Sequence, residues 1–196
     1  SGFVGVDVFF VLSGFLITRL LLGELASRGT IDLGQFWARR ARRLLPASAL
    51  TVVVTVIVAR QVLPPLAMRN LGTDAFGAAT FTSNFVFGHR DGDYFAPTTV
   101  SPLLHFWSLA VEEQFYLCWP PLLVLLTRRP RQYRRLVGLV IGVLMVAGFA
   151  ISFAVTAAHS PWAFWLLPTR MGELLVGAAL AAVGPLAFSK QVRALL

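Results

Sequence analysis

Residues Leu103 to Leu126 read LLHFWSLAVEEQFYLCWPPLLVLL, an apolar run with Glu112, Glu113 and Gln114 set in its first half. About 20 helical residues cross a hydrocarbon core. Ionisable groups are costly there, so they face a protein interior or a wet cavity. The stretch predicts a spanning helix that turns its carboxylates inward, and it requires other helices to surround them.

The rest of the chain has the composition to do so. Of its 196 residues, 57% are hydrophobic and only 13% charged, too apolar for a soluble domain and suited to an integral membrane protein. The seventeen lysines and arginines behind the net charge of +8 cluster in short blocks between apolar runs. That pattern fits membrane topology and a lipid bilayer as partner, with no nucleic acid. Cys118 is the only cysteine, so an intrachain disulfide and a Cys-x-x-Cys metal cluster are both excluded; it is read as a helix-packing residue, and no metal site is expected. No basic stretch precedes the first apolar run, which therefore does not resemble a signal peptide, and the chain is read as cut at its amino end.

The expected fold is all-α, a polytopic transmembrane bundle of about five spanning helices plus a re-entrant or surface segment. The spans are Phe3 to Leu22, Leu44 to Leu63, Leu103 to Leu126, Leu136 to Ala158 and Trp162 to Val183. Gly23 to Arg43 reads as a polar cytoplasmic loop, and Pro46 falls in the first turn of the second span, where a missing amide donor costs little. Asp74 to Gly88, carrying Thr80, Thr82, Ser83 and Asn84, is too short and polar to cross, and His89 to Pro102 reads as a loop. If that short segment does not cross, the arginine block at 39–43, the block at 128–135 and the basic tail all fall on one side. The first helix then runs from outside to inside.

On a helix of 3.6 residues per turn, His105, Ser108, Glu112 and Tyr116 share a stripe, while Glu113 points about 100° away. A carboxylate beside an imidazole can orient it for general base work on a hydroxyl, and the same pair can equally be a buried structural contact. Arg40 and Arg43 stand three residues apart in a juxtamembrane block. Such guanidinium forks take phosphates, those of a coenzyme A thioester or those of lipid headgroups. Arg170 and Glu173 can pair with each other or with the Glu112 region, and Asp7 needs a partner on another helix or interfacial water. Phosphate-loop, zinc-helix and nucleophile-elbow motifs are absent from the sequence. Up to this point a transporter fits as well as an enzyme.

The blocks Gly5 to Ile17 (GVDVFFVLSGFLI), Phe36 to Pro46 (FWARRARRLLP), Trp107 to Tyr116 (WSLAVEEQFY) and Pro168 to Gly177 (PTRMGELLVG) resemble, in this order, those of the acyltransferase 3 family of bacterial membrane acyltransferases. The resemblance implies a single membrane-embedded domain over 1–196, present in part and multi-pass in the bacterial cytoplasmic membrane. It implies transfer of an acyl group, often acetyl from acetyl-CoA, to hydroxyls of O-antigen, peptidoglycan, exopolysaccharide or glycosylated metabolites. The partners would be acyl-CoA and a glycan or glycolipid acceptor, with no tightly bound cofactor. Arg40 and Arg43 would then serve the donor and Glu112 the interior site, with Asp7, Glu113, Gln114, Arg170 and Glu173 in support. His105 is a candidate substitute base near the external mouth. The family's arginine and histidine of a first helix are not matched here, so the 196 residues are expected to be inactive alone, and a transporter remains the alternative.

Overall fold

The computed structural model describes residues 3–63, 65–90, 101–128, 132–160 and 162–183. Helix α1 (Phe3–Arg28) continues past the expected end of the first span. It stops at Gly29, whose φ of 72° suits the left-handed closing residue of a helix. Helix α2 (Leu33–Val62) begins at once, because the Asp32 side chain caps it by accepting from the Gln35 amide at 2.9 Å. The anticipated polar loop is thus corrected: most of 23–43 is helical, and only residues 29–32 connect. Glu24 explains the difference, pairing with Arg28 at 3.5 Å and with Arg39 at 3.6 Å across the turn. Arginine is also a good helix former. Pro46 consequently lies inside α2 instead of in its first turn.

Helices α3 (Pro65–Ala79) and α4 (Ser83–Arg90) form a hairpin where the re-entrant segment was expected. Its tip enters the bundle. Gln114 donates to the Phe81 carbonyl at 3.4 Å and to Asn84 Oδ1 at 2.9 Å, while Asn84 donates to the Trp165 carbonyl at 3.0 Å. Gln114 lies about 12 Å along α5 from its start at Phe106, by a rise of about 1.5 Å per residue. At the open end Arg90 binds the buried Asp74 at 2.5 Å. Asn84→Leu is expected to lower unfolding stability in detergent by about 1–3 kcal/mol, the cost of stranding buried polar partners. The matching change at exposed Asn70 should leave the midpoint where it was.

Helices α5 (Phe106–Thr127) and α6 (Tyr133–Ala157) follow the expected third and fourth spans, and α7 (Trp162–Trp165) with α8 (Leu167–Val183) make the fifth. Among the described residues, five segments are long and apolar enough to cross a membrane: Val4–Arg28, Leu33–Val62, Phe106–Thr127, Tyr133–Ala157 and Trp162–Val183. Of the loop expected over His89 to Pro102, His89 and Arg90 instead close α4, and 91–100 lie outside the described residues, as do part of the second arginine block and the basic tail.

Contacts set the helix directions. Phe10 meets Trp107, Ser13 meets Glu112 and Thr18 meets Trp119, so α1 and α5 run parallel. Trp37 bonds the Tyr116 carbonyl and Arg40 reaches Glu113, so α2 runs against α5. With α2 making one crossing, parallel α1 and α5 require that the α3–α4 hairpin return to the side it entered from. Helix α8 crosses α1 where Gly14 and Gly177 face each other's backbone, and Asp7 beside Arg170 makes that pair parallel too.

The core gathers Phe10, Leu21, Trp107, Trp119, Trp165 and Leu174 from α1, α5, α7 and α8. Facing outward, Val4, Val8, Leu12, Leu16 and Leu20 form a one-turn stripe down α1, and Leu50, Val53, Val54, Ile57 and Val58 cover α2. Apolar surface of this extent belongs in hydrocarbon. Cys118 lies on the exposed side of α5, which corrects its reading as a packing residue.

Candidate functional site

Glu112 and Glu113 leave α5 in directions about 100° apart, and α2 closes the angle between them with a single guanidinium. Arg40 holds Glu113 Oε1 through Nε at 2.7 Å and Nη2 at 2.5 Å, and Nη2 stands 3.4 Å from Glu112 Oε2. Its guanidinium lies over the Tyr116 ring, 3.7 Å from the centroid. Tyr116, one turn along from Glu112, donates its hydroxyl to Glu112 Oε1 at 2.8 Å. From α1, Ser13 donates to the same oxygen and lies against the Tyr116 hydroxyl. Trp37 Nε1 bonds the Tyr116 carbonyl at 3.2 Å, fixing α2 on α5 at this level.

The cluster therefore joins three helices and saturates Glu112, which is 6% exposed: one oxygen accepts two hydroxyls and the other faces the arginine. Two carboxylates share one guanidinium, leaving a negative excess that an apolar bundle tolerates only with such extra hydrogen bonds. Arg40 is about a quarter exposed, so the cluster opens toward the surface of α2. There Arg42 and Arg43 are exposed, Arg39 is tied to Glu24 and Gln35, and Arg43 makes no ion pair among the described residues. The structure thus separates Arg40 from Arg43, the former turned in and the latter turned out.

His105 does not join this group. It sits just before α5, exposed and against Phe106, and no hydrogen bond links it to Glu112 among the described residues. Among the described residues, Ser108 bonds only the His105 carbonyl, at 3.2 Å. The polar neighbours of Glu112 are Tyr116 and Ser13 where an imidazole was expected. Tyr116 lay on the anticipated stripe, and Ser13 left a trace as a polar break in the first apolar run. Gln114 faces the hairpin tip on another side of α5.

Asp7, Arg170 and Glu173 form a second cluster. Arg170 Nη1 stands 3.6 Å from Asp7 Oδ1 and 3.5 Å from Glu173 Oε1. This supplies the partner on another helix that Asp7 needs, and it keeps Arg170 away from Glu112.

The family model for the acyltransferase domain matches residues 1–196. The chain is 39% identical over 187 residues to peptidoglycan O-acetyltransferase OatA of Listeria monocytogenes, covering 94% of this chain and 30% of that protein. It is 36% identical over 185 residues to O-acetyltransferase OatA of Staphylococcus aureus, with the same coverage. It is 38% identical over 192 residues to YrhL of Bacillus subtilis, covering 95% of this chain and 30% of the relative. The chain thus spans less than a third of the length of these relatives. No solved structure matches it. With a match along its whole length, on a helical bundle whose polar residues converge where α1, α2 and α5 meet, this chain belongs to the acyltransferase 3 family.

Proposed function

We propose that the full-length protein is a membrane O-acetyltransferase that moves an acetyl group from acetyl-CoA to a hydroxyl of a cell-envelope glycan. The observation that carries this reading is the buried cluster of Arg40, Glu112, Glu113, Tyr116 and Ser13, open on the side where the arginine block lies. Arg43, with Arg42 beside it, takes the donor's phosphates at the cytoplasmic face of the bacterial inner membrane, the side the positive-inside rule assigns to arginine blocks. The acceptor oxygen attacks the thioester carbonyl, a carbon–oxygen bond forms, the carbon–sulfur bond breaks, and the proton leaves with the CoA thiol. Arg40 is placed to stabilise negative charge developing on the carbonyl oxygen, held in position by Glu113 and by the Tyr116 ring. Glu112 is the carboxylate that organises the hydroxyls beside it. The Listeria relative, named a peptidoglycan O-acetyltransferase, favours peptidoglycan as acceptor over O-antigen.

The test supplies radiolabelled acetyl-CoA to membranes holding the full-length protein with peptidoglycan, O-antigen or exopolysaccharide as acceptor. Label is expected in peptidoglycan as an alkali-labile ester. No transfer to any of the three would overturn the reading, and uptake of an untransformed solute would favour a transporter.

A further inference from the structure

The bundle holds two clusters of one arginine with two carboxylates, and their geometries differ. Around Arg40 one carboxylate is gripped closely, Glu113 at 2.5 and 2.7 Å, while Glu112 stands at 3.4 Å with its other oxygen taken by two hydroxyls. Around Arg170 the carboxylates stand off at 3.5 and 3.6 Å, too far for good hydrogen bonds. Among the described residues, the Arg170 guanidinium donates through Nε to the Phe164 carbonyl at 3.2 Å. A guanidinium carries five N–H donors, so Arg170 has capacity for a further acceptor. The carboxylates facing it are also reachable: the side chains of Asp7 and Glu173 are 45% and 26% exposed.

Placement and chemistry narrow what could bind. Asp7 lies in the second turn of α1 and Arg170 in the first turn of α8, at the ends of these parallel helices opposite the arginine-bearing connection. Helix α1 is about 39 Å long against about 30 Å of hydrocarbon, so its outer turns reach the interface. The guanidinium is framed by the rings of Phe164 at 4.5 Å and Trp107 at 5.9 Å. Two carboxylates against one guanidinium leave a negative excess, which repels the phosphates of a CoA donor. A neutral sugar ring suits the site, since its hydroxyls donate to carboxylates and accept from N–H groups.

We infer that Asp7, Arg170 and Glu173 form an outward-facing recognition site for a neutral carbohydrate ring of the acceptor. This rests on the reading of the protein as a glycan O-acetyltransferase. The test titrates full-length protein in lipid nanodiscs with an N-acetylglucosamine tetrasaccharide, without acetyl-CoA, and reads tryptophan fluorescence. Asp7→Asn and Glu173→Gln are each expected to weaken binding about tenfold, while Arg134→Gln, on the exposed face of α6, leaves it unchanged. In transfer assays the same two variants raise KM for the acceptor and leave KM for acetyl-CoA in place. Unchanged affinity in both variants, or no binding by the wild type, overturns the site. Should Glu173→Gln fail to fold, half-exposed Asp7→Asn decides alone. Binding through these residues without any acetyl transfer would leave the site standing and refute the function, whereas transfer with unaltered acceptor KM refutes the site alone.

Discussion

Gly14→Ala is expected to destabilise the bundle more than any other alanine substitution of a described glycine except its counterpart Gly177→Ala. A Cβ on Gly14 would lie 1.9 Å from the carbonyl oxygen of Leu174 and 2.7 Å from its carbonyl carbon. A Cβ on Gly177 would lie 1.9 Å from the Val11 oxygen and 2.6 Å from the Phe15 nitrogen. Contact distances for such atoms are about 3.5 Å, so the two helices must separate by roughly 1.5 Å. The opposing atoms are backbone and cannot rotate away. Overpacking typically costs about 1–3 kcal/mol, and this case sits at or above the upper end because α1 carries its neighbours with it. Ser13, adjacent to the crossing, would be drawn from Glu112, and Asp7 from Arg170. Small residues that let backbones touch are how helices associate in lipid, where the hydrophobic effect between them is absent. Unfolding in detergent measures the effect against Gly5→Ala, whose Cβ would meet nothing within 4 Å among the described residues. Equal midpoints for the two variants would show that α1 and α8 do not approach this closely.

Arg40→Leu is the second large effect. It leaves Glu112 and Glu113 adjacent, enclosed and without their shared cation. Removing one partner of a buried ion pair costs about 3–5 kcal/mol because the orphaned charge stays desolvated. The lower end, about 3 kcal/mol, applies here, since about a quarter of the Arg40 side chain reaches the surface and water screens part of the loss. Acyl transfer by the full-length protein should disappear with it. The double variant Arg40→Leu/Glu113→Gln removes one of the stranded charges, and should recover most of the stability and none of the transfer. Arg40→Lys keeps a charge but loses the two-nitrogen grip on Glu113 and the stacking on Tyr116, so stability should fall little and transfer at least tenfold. If Arg40→Leu transfers acetyl groups at the wild-type rate, Arg40 has no part in the chemistry.

Much of the bundle was legible from hydropathy alone, because a lipid-crossing helix must be long and apolar whatever surrounds it. The connection between α1 and α2 is shorter than the polar loop that the sequence suggests for a local reason: arginines signal topology, yet they also form helices, and Asp32 with Glu24 makes the arginine block helical. The stripe through Glu112 and Tyr116 is real, because it depends only on helical period. His105 failed to extend it because the helix begins one residue later and two turns separate it from Glu112. Ser13 and Trp37 come to the cluster from α1 and α2, at sequence separations no periodicity can bridge.

By itself, then, the sequence determined the helical class, the number of spans and the residues with unusual chemistry, since each follows from the cost of placing polar groups or backbone in hydrocarbon. Only the tertiary structure decided how those charges divide. The stretch at 103–126 holds two carboxylates that spacing had sent to different neighbours, and both close on Arg40, while Arg170 joins Asp7 in a separate, open cluster. The reason is the crossing of α1 and α8 at two facing glycines and the antiparallel seat of α2 on α5. Helix packing sets which side chains come within reach, and pairing then follows distance.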